Sequence, residues 1–500
     1  MAEPRFTPLG KLLSVLLVGG LIALGAYMLV RDRASEPSPA GAGAAAAGGD
    51  TAAPEVSEVQ VEVPKLSPPA AVQITDNTIP IEISEYAGYA GLIAANGGLE
   101  PNENSVFFKQ YGFKVKLTVS EGENWSALNE GKLAASVTTA DVLAVYGPQF
   151  HVVVPAQIGF SRGADGLVVR SDIKRINALK GKVIATAQFT EVDFFIRYLA
   201  QEAGLAVSAI GSVDAVPNPD RINLIYTEDG FSAGALFLSD LKSGKNRIAG
   251  AVTWEPKMSE IVEQSGGKAH LLTTNKNLLI VADVLVVHRG FAEQQPKIVA
   301  GLVHGLLEGN RMVRDTPDAY LDVIGRVFKW SRAETKEELG RVHLSNLPEN
   351  LAFFSGEIGE AGSFESIYQS AVYAYGSLIK APVDAQKFVD VKYLQVLDKQ
   401  GLFKGQKIAI APIRAAATGT IENDPLLSRD IRFLFEPNSS TLDLTNQDNL
   451  RDLEAIKKLL QVSPGSTLLL RGHVDNALVA KFREQGARPM CGRRRCGRWN

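Results

Sequence analysis

Residues 179–204 change from a strand-like to a helix-like hydrophobic pattern within a few positions. Residues 183–185 form a short uncharged apolar run, as in a buried strand, and apolar residues then recur at helical spacing. Thr190, followed three residues later by Asp193, predicts a capped helix start, and Gly204 predicts the helix end. In open α/β sheets such a junction lies where ligands usually bind, although an ordinary βα unit that binds nothing has the same pattern.

The same alternation of strands and helices continues on both sides of this junction. Apolar runs or alternating patterns predict strands at residues 79–83, 113–119, 152–154, 167–169, 183–185, 249–253, 279–282 and 284–287. Helical patterns separate several of these strands, for example at 125–130 and 140–146. This alternation predicts an α/β fold with mostly parallel sheets, followed by a mainly helical region from 296 to 398.

The composition excludes several classes of protein. The chain of 500 residues is long enough for two or three compact units, and its formal net charge of −3 gives no indication of nucleic-acid binding. Both cysteines, Cys491 and Cys496, lie near the end, so the body has no disulfide, thiolate metal site or cysteine nucleophile. The 6 histidines show no metal-ligand spacing, and we expect neither a bound metal nor a cofactor.

An uncharged segment near the N-terminus predicts a membrane anchor. Residues 12–30 would span about 28 Å as a helix, enough to cross a hydrocarbon core. This length favours an uncleaved single-pass helix within residues 1–33 over a cleavable signal peptide. Residues 34–78 begin with a stretch rich in Ala, Gly, Pro and Ser and are predicted to be a flexible linker. We therefore expect a protein of the inner (cytoplasmic) membrane whose bulk lies on the periplasmic, extracytoplasmic side.

A smaller unit is predicted after the main body. Residues 431–435 alternate as in a strand, residues 450–460 carry leucine and isoleucine at helical spacing, and residues 467–470 form another apolar run. Residues 487–500 are rich in arginine and show no periodicity, so we expect a disordered tail.

Residues 230–234 match the Gly-x-Ser-x-Gly pattern of a serine nucleophile elbow. That motif requires the serine on a sharp turn directly after a buried strand. Here a charged segment, 227–229, separates the pattern from the preceding apolar run. A serine hydrolase is therefore disfavoured, and we expect no catalytic residues.

Polar and aromatic residues near the predicted helix starts are the better candidates for a site. Strand ends of one sheet system converge on a single edge, so these residues together predict an aromatic-walled cleft for a small molecule, although each alone has a structural explanation. The candidates are Tyr86, Tyr89, Trp125, Thr138, Thr139, Thr190, Trp254 and Glu255.

The body of the chain resembles a known family over about residues 79–398. The resemblance rests on the order of short motifs, namely Leu-Lys-Gly-Lys at 179–182, Thr190 with its helix, Trp-Glu-Pro at 254–256 and Asp-Val-Leu-Val-Val at 283–287. These motifs resemble the substrate-binding proteins of nitrate, sulfonate and taurine type ABC transporters.

The resemblance implies a type II periplasmic-binding fold, with two α/β lobes joined by two crossovers and a ligand trapped by hinge closure. It places the binding domain at 79–415, with lobe 1 at about 79–168 and 282–400 and lobe 2 at about 169–281. It also implies a small-molecule ligand and an ABC permease or membrane sensor as partners.

Residues 420–486 resemble the start of an OmpA-like peptidoglycan-binding domain of the α+β class. The matching motifs are Ile-Arg-Phe-Leu-Phe at 431–435, residues 438–442 and Gly-His-Val-Asp at 472–475. The resemblance implies that Asp475 helps to bind the diaminopimelate group of peptidoglycan. The second helix of that family, with its Asn, Leu-Ser and Arg-Ala signature, does not follow in this sequence, so the predicted module is partial.

The expected function is that of a membrane-tethered solute-binding protein that captures a small polar metabolite between two lobes. One alternative is a non-catalytic structural protein of the envelope, associated with peptidoglycan, whose lobes have lost their ligand. Another is an enzyme on the same fold, such as the thiamine-pyrimidine synthases that resemble this family. The cysteine-rich motif of those enzymes is absent from the body of this chain.

Two acidic residues bear on the charge of the ligand. Glu191 and Asp193 lie in the first turn of the predicted helix, where they oppose a bare anion at its amino-terminal end. We therefore expect a ligand that is zwitterionic or that directs a cation toward Trp125, Trp254 and these acids.

Overall fold

The computed structural model describes residues 55–120, 122, 124–358, 362–410, 426–436, 441–462 and 468–470. The predicted anchor at 12–30, Asp475 and the arginine-rich tail lie outside these residues. Within the described part, no helix is both long and apolar enough to cross a bilayer. All described residues belong to the second of two compact units, Ala53–Asn500.

The first sheet forms the centre of lobe 1. With strands numbered along the chain, it contains β1 (Thr78–Ser84), β2 (Lys114–Ser120), β3 (Ala135–Thr139), β4 (Val152–Ser161), β11 (Ala282–His288) and β12 (Val342–Leu344). Its order is β12-β4-β11-β3-β1-β2. β1 runs parallel to β2 and β3, whereas β11 runs antiparallel to β3 and β4.

The second sheet forms the centre of lobe 2. It contains β5 (Asp165–Arg170), β6 (Val183–Ala187), β7 (Ala206–Ala209), β8 (Arg221–Thr227), β9 (Gly250–Trp254) and β10 (Ala269–Thr274). The order is β10-β5-β9-β6-β8-β7, with β6 parallel to β8 and β9 and with β5 antiparallel to β9. In each sheet, the strand that arrives from the other lobe, β11 or β5, runs antiparallel to its neighbours, and β12 is likewise antiparallel to β4.

Helices cover both sheets. The first group is α1 (Ala90–Asn96), α2 (Val106–Tyr111), α3 (Trp125–Asn129), α4 (Ala140–Tyr146), α5 (Glu191–Glu202), α6 (Gly230–Ser243) and α7 (Lys257–Gln264). The second group is α8 (Arg289–Gln294), α9 (Pro296–Asp315), α10 (Leu321–Phe328), α11 (Arg332–Leu339), α12 (Leu347–Ser355), α13 (Phe364–Tyr375), α14 (Lys392–Lys399) and α15 (Gln447–Val462). The predicted α/β class is confirmed, as is the two-lobed arrangement.

Two crossovers join the lobes. The chain passes from β4 to β5 through residues 162–164 and returns from β10 to β11 through residues 275–281. Asn275 holds the two crossovers side by side, because its side-chain oxygen accepts from the amide of Gly163 at 2.7 Å and its backbone amide donates to the Asp165 carbonyl at 3.0 Å. The first crossover lies a few residues before the lobe boundary expected at 168.

Hydrophobic cores form within each lobe and also between them. One cluster fills lobe 1 around β1, β3 and α9, and another fills lobe 2 around α6. A third cluster is shared, because α4 and α13 of lobe 1 pack against α5 of lobe 2. Burial of apolar surface across the lobes favours the closed arrangement that the structure shows.

The junction between β6 and α5 forms as predicted, but its capping differs. The Thr190 hydroxyl donates to the Ala187 carbonyl at 2.8 Å and does not cap the helix. Asp193 accepts from the Phe189 amide at 3.2 Å and pairs with Arg197 at 2.9 Å. The predicted capping box is therefore wrong, since the buried Asp193 carboxylate is drawn to an arginine one turn later.

The glycine and serine pattern at 230–234 lies in a helix. α6 begins at Gly230, and the side chain of Asp229 caps it by accepting from the Ser232 amide at 2.7 Å. Ser232 is thus part of the first helical turn and does not occupy a sharp strand-to-helix turn. The geometry agrees with the sequence in disfavouring a nucleophile elbow.

Residues 55–74 form an extended segment, called here the N-terminal strap, that contacts both lobes. Gln60 and Gln188 of lobe 2 exchange two hydrogen bonds of 2.8 Å. On lobe 1, the side chain of Gln149 accepts from the Leu66 amide at 2.8 Å. The structure therefore differs from the flexible linker predicted for residues 34–78, because the second half of that range has valines and leucines that pack against the lobes.

The C-terminal residues form less regular structure than predicted. The helical pattern at 450–460 is confirmed as part of α15. Residues 431–435 do not form a strand, because Phe435 makes only an isolated bridge with Leu442 and no described strand pairs with the segment. Leu450 and Leu453 of α15 are 40% and 37% exposed, so the helix lacks a packed core within the described residues.

The strap provides a first prediction. The double substitution Gln149→Ala and Gln188→Ala removes hydrogen bonds that hold the strap to both lobes. We expect it to lower the free energy of unfolding in urea by about 1–3 kcal/mol and to make residues 55–74 cleavable by trypsin or thermolysin in the folded protein. Gln395→Ala, at an exposed position of α14, is the control; equal resistance of both variants to protease would contradict the role of the strap.

Candidate ligand-binding cleft between the lobes

The strand ends of the two lobes face each other across a buried polar region. On one side, the Tyr375 hydroxyl of lobe 1 donates to the Thr190 carbonyl of lobe 2 at 3.2 Å, and the guanidinium of Arg197 lies 5.0 Å from the centre of the Tyr375 ring. On another side, Arg341 of lobe 1 pairs with Glu255 of lobe 2 at 3.3 Å. We call the region between these contacts the interlobe cleft.

Asp283 enters the cleft from the first residues of β11. Its carboxylate accepts from the Tyr89 hydroxyl at 2.9 Å, and its side chain is 3% exposed. Thr139 lies directly opposite it on β3, so the two side chains share one face of the sheet. Burial raises the pKa of Asp283 well above its ordinary value, and the nearby charges of Asp165 and Asp141 raise it further.

Asp165 lies where the first crossover enters lobe 2. Its carboxylate accepts from the Ser161 hydroxyl and, at 2.7 Å, from the side-chain amide of Asn275. Burial raises its pKa to about 6, although these two hydrogen bonds oppose the shift. Asp165 is therefore both a joint between the crossovers and an acid at the floor of the cleft.

Asp141 is the least satisfied acid in the cleft. It lies in the first turn of α4, its side chain is fully buried, and neither carboxylate oxygen forms a hydrogen bond of ordinary geometry, although the nearby Thr139 hydroxyl and the backbone lower its pKa slightly. Burial raises its pKa to about 7, and the charges of Asp165 and Asp193 from lobe 2 contribute to the shift. The other titratable groups that face it are Tyr375 and Asp283.

Several hydroxyls near these acids also lack partners. The side-chain oxygens of Thr138 and Thr139, at the end of β3, are buried without a hydrogen bond, as is the hydroxyl of Tyr86. Burial raises the pKa of Tyr86, as do the charges of Asp283 and of Asp165. Buried polar groups are almost always hydrogen-bonded in proteins, so the incompletely satisfied hydroxyls of Thr139 and Tyr86, which lie beside Asp141 and Asp283, indicate a binding position.

Lobe 2 contributes an aromatic wall and a buried ion pair. The Trp254 indole donates to Glu191 at 2.5 Å, and its ring packs edge-on against Phe231. Arg197 pairs with Asp193 and also donates to the Tyr226 hydroxyl at 2.8 Å. The Arg197 guanidinium is therefore already hydrogen-bonded to protein side chains.

The structure brings some predicted site residues together and leaves others elsewhere. Tyr86, Tyr89 and Thr139 lie beside the acids on the lobe 1 side, whereas Thr138 precedes Thr139 and projects from the opposite face of β3. The Thr190 carbonyl and Trp254 lie on the lobe 2 side. The ring of Trp125 packs against Phe150 at 5.2 Å, within the shared hydrophobic cluster.

Glu255 is occupied by structural contacts. Besides its pairing with Arg341, its carboxylate accepts from the Ser259 amide at 3.0 Å and from the Ser259 hydroxyl at 2.9 Å, in the first turn of α7. Its position at the rim therefore serves the interlobe contact and the start of that helix.

Sequence reasoning did not select Asp141, Asp165 and Asp283 as site residues. A signal was present for Asp283, which interrupts an otherwise apolar run from 279 to 287, since an acid in such a run is seldom buried without a purpose. Asp141 and Asp165 carry no comparable signal in the linear pattern. Only their burial beside one another identifies them.

The described acids and histidines do not form a metal site. No group of three or more His, Cys, Asp or Glu side chains in this part of the chain is arranged to hold a metal ion. The acids come from three different elements, α4, β5 and β11, and hydroxyl side chains rather than further carboxylates contact them. Such an arrangement suits a molecule of several atoms better than a single ion.

Comparison with known proteins shows similarity only at the level of the fold. The sequence matches no protein-family model and no curated protein. Among solved structures, the aliphatic sulphonate binding protein SsuA from Escherichia coli is 14% identical, with 70% of this chain and 100% of that chain covered and a TM-score of 0.47.

Two other solved structures are similar to the same degree. The alkanesulfonate-binding protein SsuA from Xanthomonas axonopodis pv. citri, bound to MOPS, is 14% identical over 64% of this chain and 99% of that chain, with a TM-score of 0.46. The nitrate-binding protein NrtA from Synechocystis PCC 6803 is 12% identical over 66% and 90%, with a TM-score of 0.46. The ligand of this chain has to be argued from its own side chains.

The buried ion pair of lobe 2 generates a second prediction. Arg197→Met leaves the Asp193 carboxylate buried without its cation, and we expect a loss of about 3–5 kcal/mol in the free energy of unfolding. Arg311→Met, which breaks a partly exposed helical ion pair, should cost less than about 1 kcal/mol. Adding Asp193→Asn to Arg197→Met should recover much of the loss; a double variant as unstable as Arg197→Met would show that the arginine acts through packing alone.

The pKa of Asp141 generates a third prediction. The folded protein retains this proton up to about pH 7, whereas the unfolded chain loses it near its ordinary pKa of 3.8. The contribution of this group to stability is thus greatest at low pH and declines as the pH rises from about 4 to 7, by on the order of 4 kcal/mol, of which on the order of 2–3 kcal/mol is lost above pH 5.

Asp141→Asn tests this linkage. We expect urea unfolding of the variant to lose that part of the decline between about pH 5 and pH 7.5, because an amide does not titrate. Asp76→Asn, at an exposed position, should leave the decline unchanged. If Asp141→Asn and the parent protein show the same pH dependence, Asp141 is not protonated in the folded state.

Proposed function

We propose that this chain is an extracytoplasmic solute-binding protein that captures a small polar molecule between its two lobes and does not catalyse a reaction. It would deliver the molecule to an ABC permease or present it to a membrane sensor. The proposed binding residues are Tyr86, Tyr89, Thr138, Thr139, Thr190 and Trp254, together with the acids of the cleft.

One observation supports this proposal above the others. Two α/β lobes are joined by adjacent crossovers, and the space between their strand ends holds buried polar side chains without partners, Asp141 foremost. An unsatisfied buried carboxyl costs free energy unless a ligand completes its interactions. A pair of lobes on a two-crossover hinge can open to admit such a ligand and close to complete them.

The location and the remaining partners are part of the same proposal. Residues 12–30 would anchor the chain in the inner membrane, and residues 420–486 with Asp475 would contact peptidoglycan. Both assignments come from the sequence, and they place the lobes in the periplasm, where a permease or sensor could receive the ligand.

A structural role in the envelope is the second candidate. The hydrophobic cluster shared by α4, α13 and α5 favours it, because a continuous apolar contact between lobes resists opening. In that case the lobes would stay closed whether or not small molecules are present.

Tyr375 offers a test that separates the two candidates. Its hydroxyl joins the lobes through the Thr190 carbonyl, so Tyr375→Phe should weaken the closed form by about 1 kcal/mol. For a binding protein, the affinity for the small molecule that co-purifies from the host should fall about fivefold, because the binding-competent form becomes less populated. Tyr373→Phe is the matched control, since Tyr373 is 73% exposed on the same helix.

Native mass spectrometry of the full chain purified from its own host identifies the ligand, and small-angle scattering measures closure. The proposal expects a co-purifying small molecule whose removal increases the radius of gyration. The structural role would be favoured if no small molecule co-purifies and no member of a metabolite library raises the melting temperature. In that case the radius of gyration should also be the same with and without small molecules.

A further inference from the structure

The charge balance of the interlobe cleft narrows the class of ligand. Asp141, Asp165 and Asp283 are each at least 96% buried, and none forms a salt bridge within the described part of the chain. They interact with uncharged groups, namely the hydroxyls of Tyr89, Ser161, Thr139 and Tyr86 and the side-chain amide of Asn275. Three acids from two lobes thus meet without a cation among them.

Arg197 and Arg341 do not supply that cation. Arg162 of the first crossover, which is 8% exposed, donates to the Lys276 carbonyl at 3.2 Å and pairs with none of the three acids. Arg197 is committed to Asp193 and Tyr226, as described above. Arg341 pairs with Glu255, Glu337 and Glu338 at the rim. Because these guanidiniums are already paired with carboxylates, a ligand anion such as a sulfonate would meet acids in the cleft and find these two arginines occupied.

A second observation, independent of the acids, indicates a ligand at the same place. The side chain of Thr139 is 6% exposed, and its hydroxyl forms no hydrogen bond of ordinary geometry. Thr139 lies opposite Asp283 across two paired strands, so its hydroxyl borders the acids. The hydroxyl of Tyr86, which forms no hydrogen bond of ordinary geometry, lies beside Ser161 and Asp283 and so borders the acids as well.

We propose that the interlobe cleft binds a small organic cation, an ammonium or guanidinium compound, whose positive group lies among Asp141, Asp165 and Asp283. This inference rests on the proposed function and adds the chemical class of the ligand. The hydroxyls of Tyr86 and Thr139 would bind polar atoms of the same molecule. A bare metal ion is disfavoured, because the acids in the described residues do not form a coordinating group.

The electrostatic reason is direct. Ionised carboxylates that share a buried site repel one another, and without a cation they reduce this repulsion by remaining protonated. A bound ammonium or guanidinium group allows them to ionise, and charge-assisted hydrogen bonds then replace the unsatisfied ones. The site therefore gains most from a ligand that carries positive charge and several donors.

Pairs of probes that differ only in charge test the inference. The full chain is purified in detergent and refolded to remove bound molecules, in a phosphate buffer that contains no amine. Thermal shifts and titration calorimetry are then measured with putrescine, choline and L-arginine, each beside its neutral counterpart, butanediol, dimethylbutanol and L-citrulline. Succinate, butanesulfonate and calcium complete the series.

We expect at least one cation to raise the melting temperature by several degrees, whereas its neutral counterpart leaves it unchanged. Asp283→Asn and Asp141→Asn should each weaken that cation at least tenfold, since each removes one carboxylate charge and keeps the side-chain shape. Asp76→Asn should bind the cation as the parent protein does. Circular dichroism of each variant verifies that it is folded.

Other outcomes overturn the inference in distinguishable ways. If succinate, butanesulfonate or a neutral probe stabilises the chain and the cations do not, the inference fails and the binding function stands. If calcium alone stabilises the chain, the inference also fails, because the site then binds a metal ion and not an organic cation. If no probe binds and no small molecule co-purifies, both the inference and the proposed function fail.

Discussion

The hydrogen bonding between Asp165 and Asn275 is the interaction on which the arrangement of the two lobes depends. It lies where the chain enters lobe 2 and where it leaves it, and it ties the two crossovers together through backbone and side-chain atoms. Because both crossovers are held at one place, the strand ends of lobe 1 face those of lobe 2. The polar residues at those ends, which are far apart in the chain, therefore border one cleft.

The same arrangement concentrates negative charge. Asp165 connects the two crossovers through its hydrogen bonds with Asn275. Asp283 and Asp141 reach the cleft from β11 and α4. Each is buried, so each pKa is raised, and the charge of one makes ionisation of the next less favourable. The shared hydrophobic cluster of α4, α5 and α13 favours the closed arrangement in which these acids are brought together. Apolar burial thus favours the closed arrangement, whereas repulsion between the acids opposes it. A cationic ligand would reduce this repulsion.

Much of the fold could be predicted because it follows from local pattern. The run at 183–185 and the helical spacing after it correspond to β6 and α5, and the alternation along the body gave the α/β class. The predictions of capping and of a flexible linker failed, because in both places a side chain could contact more than one partner. Asp193 has the spacing of a capping residue but pairs with Arg197, because the buried carboxylate gains more from a guanidinium than from a single amide. The N-terminal strap has linker-like composition, yet its valines and leucines find apolar surface on the lobes.

The sequence by itself determined the periodicity of the strands and helices, the absence of cysteine from the body and the polar residues that end the strands of the main sheets. These are properties of neighbouring residues, so a linear pattern records them. Only the tertiary structure decided which of those polar residues meet. Asp141, Asp165 and Asp283 are separated by long stretches of chain, and their common burial depends on the paired crossovers and on the pairing of β3 with β11. Charge in a protein site depends on distance and on exclusion of water, and neither can be read from the order of the residues.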